Sequence, residues 1–458
     1  MSMVSSSSAL TAESISARLE RLPLSRWHIK ARVIVGAVTF FDGFDQLMIA
    51  FSLPELAPKW GLTSAGIAWL IAIGGIGMLI GALGGGWLAD RVGRLNVIMG
   101  SLALYAVMSL GMAFTDSLVL FLVFRFIQGV GLGAEVPVAA TYIGEITKAH
   151  GRGRFVLLYE VIFPIGLVAS AVVSSWVVPN HGYKVLFALG AIPIVLLPLI
   201  RKLPESPRWY ASHNRLDDAD AAMTEIENEI TTKYGKTLPP YEVGTIAPVK
   251  LEKARFAELF QGVYLRRSLM LAGIWLTAYF VNYGIASWLP TLYVKTFDVS
   301  VETALHYSIF TTLAGLIGCV LVAFLIDNVG RRICITASMV LCSTMLFLLA
   351  GFGATTAERV LWFSAGSALF VFAVNMALYV YTAELYPTRM RALGCAFGGA
   401  AGRVGIIVGP LTVGFLLERT NSLDVLFVAF GVVALIGAVV VGLFAVETKQ
   451  KTLEEISQ

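Results

Sequence analysis

Two carboxylates, Asp42 and Asp45, stand in the middle of an apolar run that extends from about residue 33 to 53. A run of that length crosses a bilayer's hydrocarbon core as a helix, and each charged carboxylate there costs ~2.5–3.5 kcal/mol to insert. Their i, i+3 spacing puts both on one helix face. A chain keeps such acids when that face lines a wet cavity and the groups bind or carry something; the plainer alternative is pairing with basic partners that hold helices together. Further intramembrane charges follow: Arg125 and Glu135 in one later apolar run, Glu160 in the next, and Arg403 near the C-terminal end. A neighbouring guanidinium favours the ionised form of a carboxyl and burial disfavours it, so groups that part and meet again can take up and release a proton.

The elements that position these groups are membrane spans. The 458 residues are 57% hydrophobic and 14% charged, with a mean hydropathy of +0.77, whereas a soluble domain is about 25% charged. This composition implies an all-α integral membrane protein and excludes a soluble enzyme. After the first span, which is expected to end near Pro54, apolar runs predict spans at roughly 67–89, 95–114, 118–141, 155–178 and 184–200. Six more fall at roughly 268–293, 304–326, 333–352, 359–383, 392–417 and 424–446. The expected division is a six-helix half over 1–200, a polar linker with short surface helices over 201–267, and a second six-helix half over 268–458.

The net charge of +4 matters less than where the basic residues lie. One side of the twelve spans holds Arg18, Arg21, Arg26, Lys30, Arg32, Arg91, Arg94, Lys148, Arg152, Arg154, Arg331, Arg332, Arg389, Arg391, Lys449 and Lys451. The other holds only Lys59, Lys184, Lys295, Arg359 and Arg419. This asymmetry places both termini in the cytoplasm and is no footprint for nucleic acid. The first 30 residues lack the apolar core of a cleavable signal peptide, so the first span is expected to be retained. Cys319, Cys334, Cys342 and Cys395 have no metal-ligand spacing and read as packing residues. Gly74, Gly75, Gly77, Gly81, Gly84, Gly85, Gly129, Gly131 and Gly133 read as helix-packing positions. No Gly-Lys-Ser/Thr occurs, so no phosphate cradle or direct ATP drive is expected. No cofactor is expected beyond the proton as coupling ion.

Two short patterns recur. Trp87-Leu88-Ala89-Asp90-Arg91-Val92-Gly93-Arg94 returns as Phe324-Leu325-Ile326-Asp327-Asn328-Val329-Gly330-Arg331, and Glu145 with Arg152 returns as Glu384 with Arg391. Recurrence at nearly one spacing means two halves in parallel repetition. On these residues the chain resembles the major facilitator superfamily, through Gly86-x-x-x-Asp90-Arg91-x-Gly93-Arg94. Its sugar-porter branch is resembled through Leu203-Pro204-Glu205-Ser206-Pro207-Arg208-Trp209, Glu384-Leu385-Tyr386-Pro387-Thr388 and Val446-Glu447-Thr448-Lys449. The resemblance implies that Asp90, Arg91, Arg94, Glu145 and Arg152, with Asp327, Arg331, Arg332, Glu384, Arg389 and Arg391, act as gating clusters that latch the halves in the outward-facing state; the plainer role is topology signal and loop solubility. It also implies that Asp45 and Arg125 match the Asp–Arg pair of proton-coupled sugar porters, and that the fold works as a monomer.

Substrate chemistry departs from sugar transport. The span-seven glutamine pair of sugar porters is missing from Thr277-Ala278-Tyr279-Phe280-Val281-Asn282-Tyr283-Gly284, and Glu160 stands where a sugar-binding Gln is expected on span five. Asp42-Gly43-Phe44-Asp45 resembles the first helix of aromatic acid:proton symporters and nicotinate transporters, although Gln46 replaces a small hydroxyl residue. Gly402-Arg403-Val404-Gly405 through Pro410 resembles their span eleven. The reading is a proton-coupled importer of a small aromatic monocarboxylate, nicotinate or a benzoate-type acid, in a bacterial inner membrane. Arg403 anchors the carboxylate, Tyr279, Tyr283, Tyr379, Asn282, Asn375 and Glu160 line the site, and Asp45 carries the proton with Asp42 or Glu135 assisting and Arg125 tuning it. Four intramembrane acids against two bases suit an organic cation or zwitterion carrier as the alternative, and a proton-independent facilitator is a further one.

Overall fold

The computed structural model describes residues 10–147, 159–233, 235, 237–241, 255–387 and 389–449. Among them, eleven helices are long and apolar enough to cross a membrane. They make twelve crossings, because Ile162–Leu189 is broken at Gly182, where φ is 79° and ψ 166°. Glycine takes that positive φ without a Cβ penalty. The chain then continues through Ile192–Leu196 to Ile200. The break reverses its direction: the Tyr183 N–H donates to Glu55 Oε2 near the end of span one, while Glu205, just past Ile200, meets the Leu95 N–H at the opposite end of the bundle.

The remaining spans are one (Arg26–Lys59), two (Ser64–Val92), three (Arg94–Phe114), four (Leu118–Glu145), seven (Gly262–Phe297), eight (Val301–Val329), nine (Arg331–Phe352), ten (Ala357–Leu385), eleven (Arg391–Thr420) and twelve (Leu423–Phe444). Span one does not stop near Pro54; it carries Pro54 and Pro58 inside its last turns. Each proline removes a helix hydrogen bond, yet Leu53, Leu56 and Ala57 are buried there against their neighbours and hold the turn in place. Span seven begins six residues before the expected position. The expected start of span five lies outside the described residues.

Packing within the first half runs through glycine. A Cβ on Gly77 or Gly81 of span two would run into the backbone carbonyls of Phe126 and Val130 on span four, and one on Gly133 into that of Met78. Small residues at this spacing let membrane helices approach to backbone contact. Gly84 is different: no atom lies within 4 Å of where its Cβ would be. The two halves meet where span two packs on eleven, span five on eight, and span one on seven.

The linker divides between the halves. Helix Ala12–Glu20 packs on Pro207–Ser212 and Leu216–Asn228, and Ile15 and Leu19 join Met223 and Ile226 in a small core. Arg18 binds Glu227 at 2.8 Å and also pairs with Asp220, and Arg21 reaches Glu227 at 2.7 Å. The acidic runs of the linker are therefore docked against the basic N-terminus. Burial pushes the Glu227 carboxyl up, but Arg18 and Arg21 outweigh it and hold the group below the ordinary glutamate range. At the linker's far end Glu258 pairs with Arg389 at 2.7 Å.

Candidate transport site

In the first half, Asp42, Asp45 and Glu135 are fully buried and Arg125 and Glu160 nearly so. Asp45 and Arg125 do not form an ion pair. Instead Arg125 Nη1 donates to Gln128 Oε1 at 2.5 Å, and Gln128 Nε2 donates to Ser109 Oγ at 2.6 Å. Ser109 stands beside Asp45: a Cβ placed on Gly190 would lie 2.9 Å from Asp45 Oδ1 and 3.0 Å from Ser109 Oγ. Glu135 sits lower on span four and accepts from Thr39 Oγ1 at 3.2 Å; Thr39 in turn is hydrogen-bonded to the Tyr159 hydroxyl. Asp42 lies between these clusters, within electrostatic reach of Glu160 and, from the other half, of Arg403.

The second half presents a different surface. Trp275, Tyr279 and Tyr283 recur on one face of span seven and stack in sequence, with centroids 5.2 and 5.7 Å apart and planes within 26° and 19°. Tyr379 closes the row edge-on to Trp275 and meets Tyr279 hydroxyl to hydroxyl at 3.2 Å. The row lies flat on span eleven because Gly398 and Gly402 offer no side chain: a Cβ there would sit 2.7 and 3.0 Å from Trp275. Half-buried Arg403 sits one turn along, with Nη1 donating to the Gly399 carbonyl at 3.0 Å. Among the described residues its Nε has no hydrogen-bond partner. That leaves one edge of the fork to take a carboxylate side-on. Asn282 and Asn375 are buried nearby; Asn282 lines a cavity with Thr311, Thr312 and Phe372.

The rim clusters form within each half. Arg94 bridges Asp90 at 2.8 Å and Glu145 at 3.0 Å, and Arg331 bridges Asp327 at 2.8 Å and Glu384 at 2.7 Å. Arg91 lies over the Trp87 ring. Arg391 begins span eleven, and Arg152 lies outside the described residues. No ion pair between these clusters joins the two halves among the described residues. At the opposite end the halves do touch: Lys295 Nζ reaches the Leu62 carbonyl at 3.5 Å, and a Cβ on Gly414 would lie 2.8 Å from the Ser64 carbonyl oxygen.

Several residues that complete the site carry no signal of their own in the sequence. Gln128, Ser109, Thr39 and Tyr159 are ordinary polar residues until folding places them between charges. Glu205 and Glu447 were legible only as parts of longer motifs. Glu205 Oε2 accepts the Leu95 N–H at 2.9 Å at the start of span three, and Glu447 accepts the Arg331 and Arg332 N–H groups at 2.9 and 3.1 Å at the start of span nine. Burial pushes the Glu205 carboxyl above the ordinary glutamate range, against backbone N–H bonds that pull it down.

A family model described as "Sugar (and other) transporter" matches residues 32–458. The chain belongs to this family of the major facilitator superfamily. It is a multi-pass membrane transporter and not an enzyme. The niacin transporter NiaP of Acinetobacter baylyi is 34% identical to it, over 96% of this chain and 98% of that protein. The 4-hydroxybenzoate transporter PcaK of Pseudomonas putida is 29% identical, over 93% of this chain and 95% of that protein. The crystal structure of a D-xylose-proton symporter shares the fold, with a TM-score of 0.72 at 20% identity over 94% of this chain and 100% of that one.

Proposed function

We propose that the protein is a proton-coupled symporter that imports a small aromatic monocarboxylate, nicotinate or a benzoate-type acid, by alternating access. The observation that carries this reading is the stacked row Trp275–Tyr279–Tyr283 lying beside a guanidinium whose Nε is uncommitted. Flat rings on the tyrosine faces and a carboxylate on Arg403 satisfy both features with one ligand. Asn282, Asn375 and Tyr379 border the ring, and Glu160 faces the same space from the first half. Niacin and 4-hydroxybenzoate, the cargoes in the names of two relatives, are both aromatic monocarboxylates, which supports the class without choosing the member.

Asp45 carries the proton in this reading, with Asp42 or Glu135 assisting and Arg125 tuning it. Protonation also answers the charge count, because four acids against two bases would repel an anion. The Lys and Arg distribution supports both termini in the cytoplasm of an inner membrane. The halves are in contact at the outer end and the rim clusters are separate at the inner end, an arrangement suited to a site reached from the cytoplasm. The rim clusters gate the inner side when the halves rock together.

Purified protein in proteoliposomes tests this. Uptake of radiolabelled nicotinate or benzoate should follow an inward proton gradient and collapse with a protonophore, and Arg403→Ala should abolish it. Carboxylate uptake retained in Arg403→Ala would sink the anion reading. Choline uptake retained in that variant would favour an organic cation carrier, a reading supported by the four buried acids. Uptake indifferent to the protonophore would mean a facilitator.

A further inference from the structure

We infer that Gln128 and Ser109 are positioning residues that connect Arg125 to Asp45 and set the pH at which Asp45 exchanges its proton. This rests on the proton-coupled reading and adds two residues to it.

Asp45 and Arg125 are both buried in the first half, yet they make no ion pair. The guanidinium spends Nη1 on Gln128 Oε1, and the same amide spends Nε2 on Ser109 Oγ, at 2.5 and 2.6 Å. Ser109 thereby uses an oxygen lone pair as acceptor and keeps its single hydroxyl proton to donate. The carboxylate beside it is Asp45, whose oxygens have no geometric hydrogen-bond partner among the described residues. The two groups share the space over Gly190, which is open only because that residue has no side chain. The two observed bonds run one way, Arg125 donating to Gln128 and Gln128 to Ser109, and a Ser109 hydroxyl turned to Asp45 would extend the same direction, each bond polarising the next. A glutamine side chain does not titrate at these pH values, so the chain transmits orientation and field while the proton itself stays on Asp45 or leaves it. A small rotation of the Ser109 hydroxyl closes or opens the last link.

The other charged or titratable groups facing Asp45 are Asp42 on its own helix, Arg125 on span four and Tyr105 on span three. Span six presents Gly190, and spans five and seven turn Glu160 and Tyr283 toward Asp42 instead. The Tyr105 hydroxyl, which has no hydrogen-bond partner among the described residues, is the other donor near Asp45, but it is not joined to Arg125 through Gln128.

Ser109→Ala removes the hydroxyl placed beside the carboxylate and Gln128→Leu removes what orients it toward Asp45; both weaken the link to Arg125, which favours the protonated form. Gln128→Leu and Ser109→Ala should therefore move the pH profile of gradient-driven uptake toward higher pH by about one unit, roughly a tenfold change in proton affinity. Ser109→Thr, which keeps the hydroxyl, should restore the wild-type profile. Unmoved midpoints in both variants overturn the inference, as does uptake lost equally at every pH, which marks a purely structural role. If the wild type shows no proton-driven uptake of aromatic acids, the transport reading fails, and the relay is then read without substrate. The infrared carboxyl band that disappears in Asp45→Asn should titrate at a higher midpoint in Gln128→Leu and Ser109→Ala. An unchanged midpoint there refutes the relay by itself.

Discussion

At the basic rim of the first half, Arg94 joins Asp90 to Glu145 and the Glu205 carboxylate caps the start of span three. At the rim of the second half, Arg331 joins Asp327 to Glu384 and Glu447 caps the start of span nine. Even the glycines before the two helices match, Gly93 with φ 102° and Gly330 with φ 112°. A side chain at either would run into the capping glutamate. The centres of the halves share none of this likeness. The first holds Asp42, Asp45, Glu135 and Glu160 with one guanidinium; the second holds an aromatic row with one guanidinium, Arg403, and no carboxylate in that row. The rims do the same mechanical task, since helix ends need their backbone groups satisfied whatever the cargo. In the proposed function the interiors divide the labour: one half would handle the proton and the other the ring and its carboxylate.

The largest expected effect tests that division from the ligand side. Arg403→Ala should weaken aromatic acid binding by at least ~30-fold, the loss of a charge-assisted pair worth ~2–3 kcal/mol, read as the thermal shift given by nicotinate or benzoate. An intact shift would show that the second half does not hold the carboxylate. Asp45→Asn tests the other side. Accumulation driven by an inward proton gradient should vanish, while exchange of labelled for unlabelled substrate persists within several-fold. Loss of exchange as well would mean that proton and substrate chemistry are not separated by half.

Smaller effects test the likeness of the rims. Glu205→Ala and Glu447→Ala should each cost about 1–2 kcal/mol, as loss of a helix cap does, and should lower the unfolding temperature in detergent by similar amounts. A large effect from one alone would break the pseudo-symmetry. The smallest is expected at the opposite end, where Asp116 binds Lys59 at 2.5 Å and Lys184 at 2.8 Å. Lys184 first, then Lys59, hold this carboxyl down at about 2. Its folded value lies below its ordinary one near 3.9. The contribution to stability is thus fully present above that pH and is lost as pH falls through about 2. Asp116→Asn should therefore leave the uptake profile between pH 5 and 8 in place and alter rates by no more than about twofold, as expected of an exposed pair.

Much of this was legible in the chain. Hydropathy and the recurring Asp90 and Asp327 patterns announced twelve spans in two halves, because a bilayer demands long apolar helices and a repeat needs the same motif at both rims. The intramembrane charges stood out for the same reason: their cost makes them conspicuous. Some details were hidden. Pro54 looked like a helix end, but burial of the turn around it kept the helix running. Gly84 looked like its packing neighbours, yet its position around span two turns it away from span four.

Sequence alone determined that this protein crosses the membrane many times, which charges it carries inside, and that Trp275, Tyr279 and Tyr283 recur along one face of span seven. These follow from residue type and from a period along one helix. Only the tertiary structure decided which groups meet. It separated Asp45 from Arg125 by Gln128 and Ser109, kept the rim ion pairs within their own halves, and set Asp42 of span one opposite Arg403 of span eleven. Those outcomes depend on the rotation and depth of each helix against several others, and glycines such as Gly190 and Gly402 set them by allowing approach within the reach of a hydrogen bond.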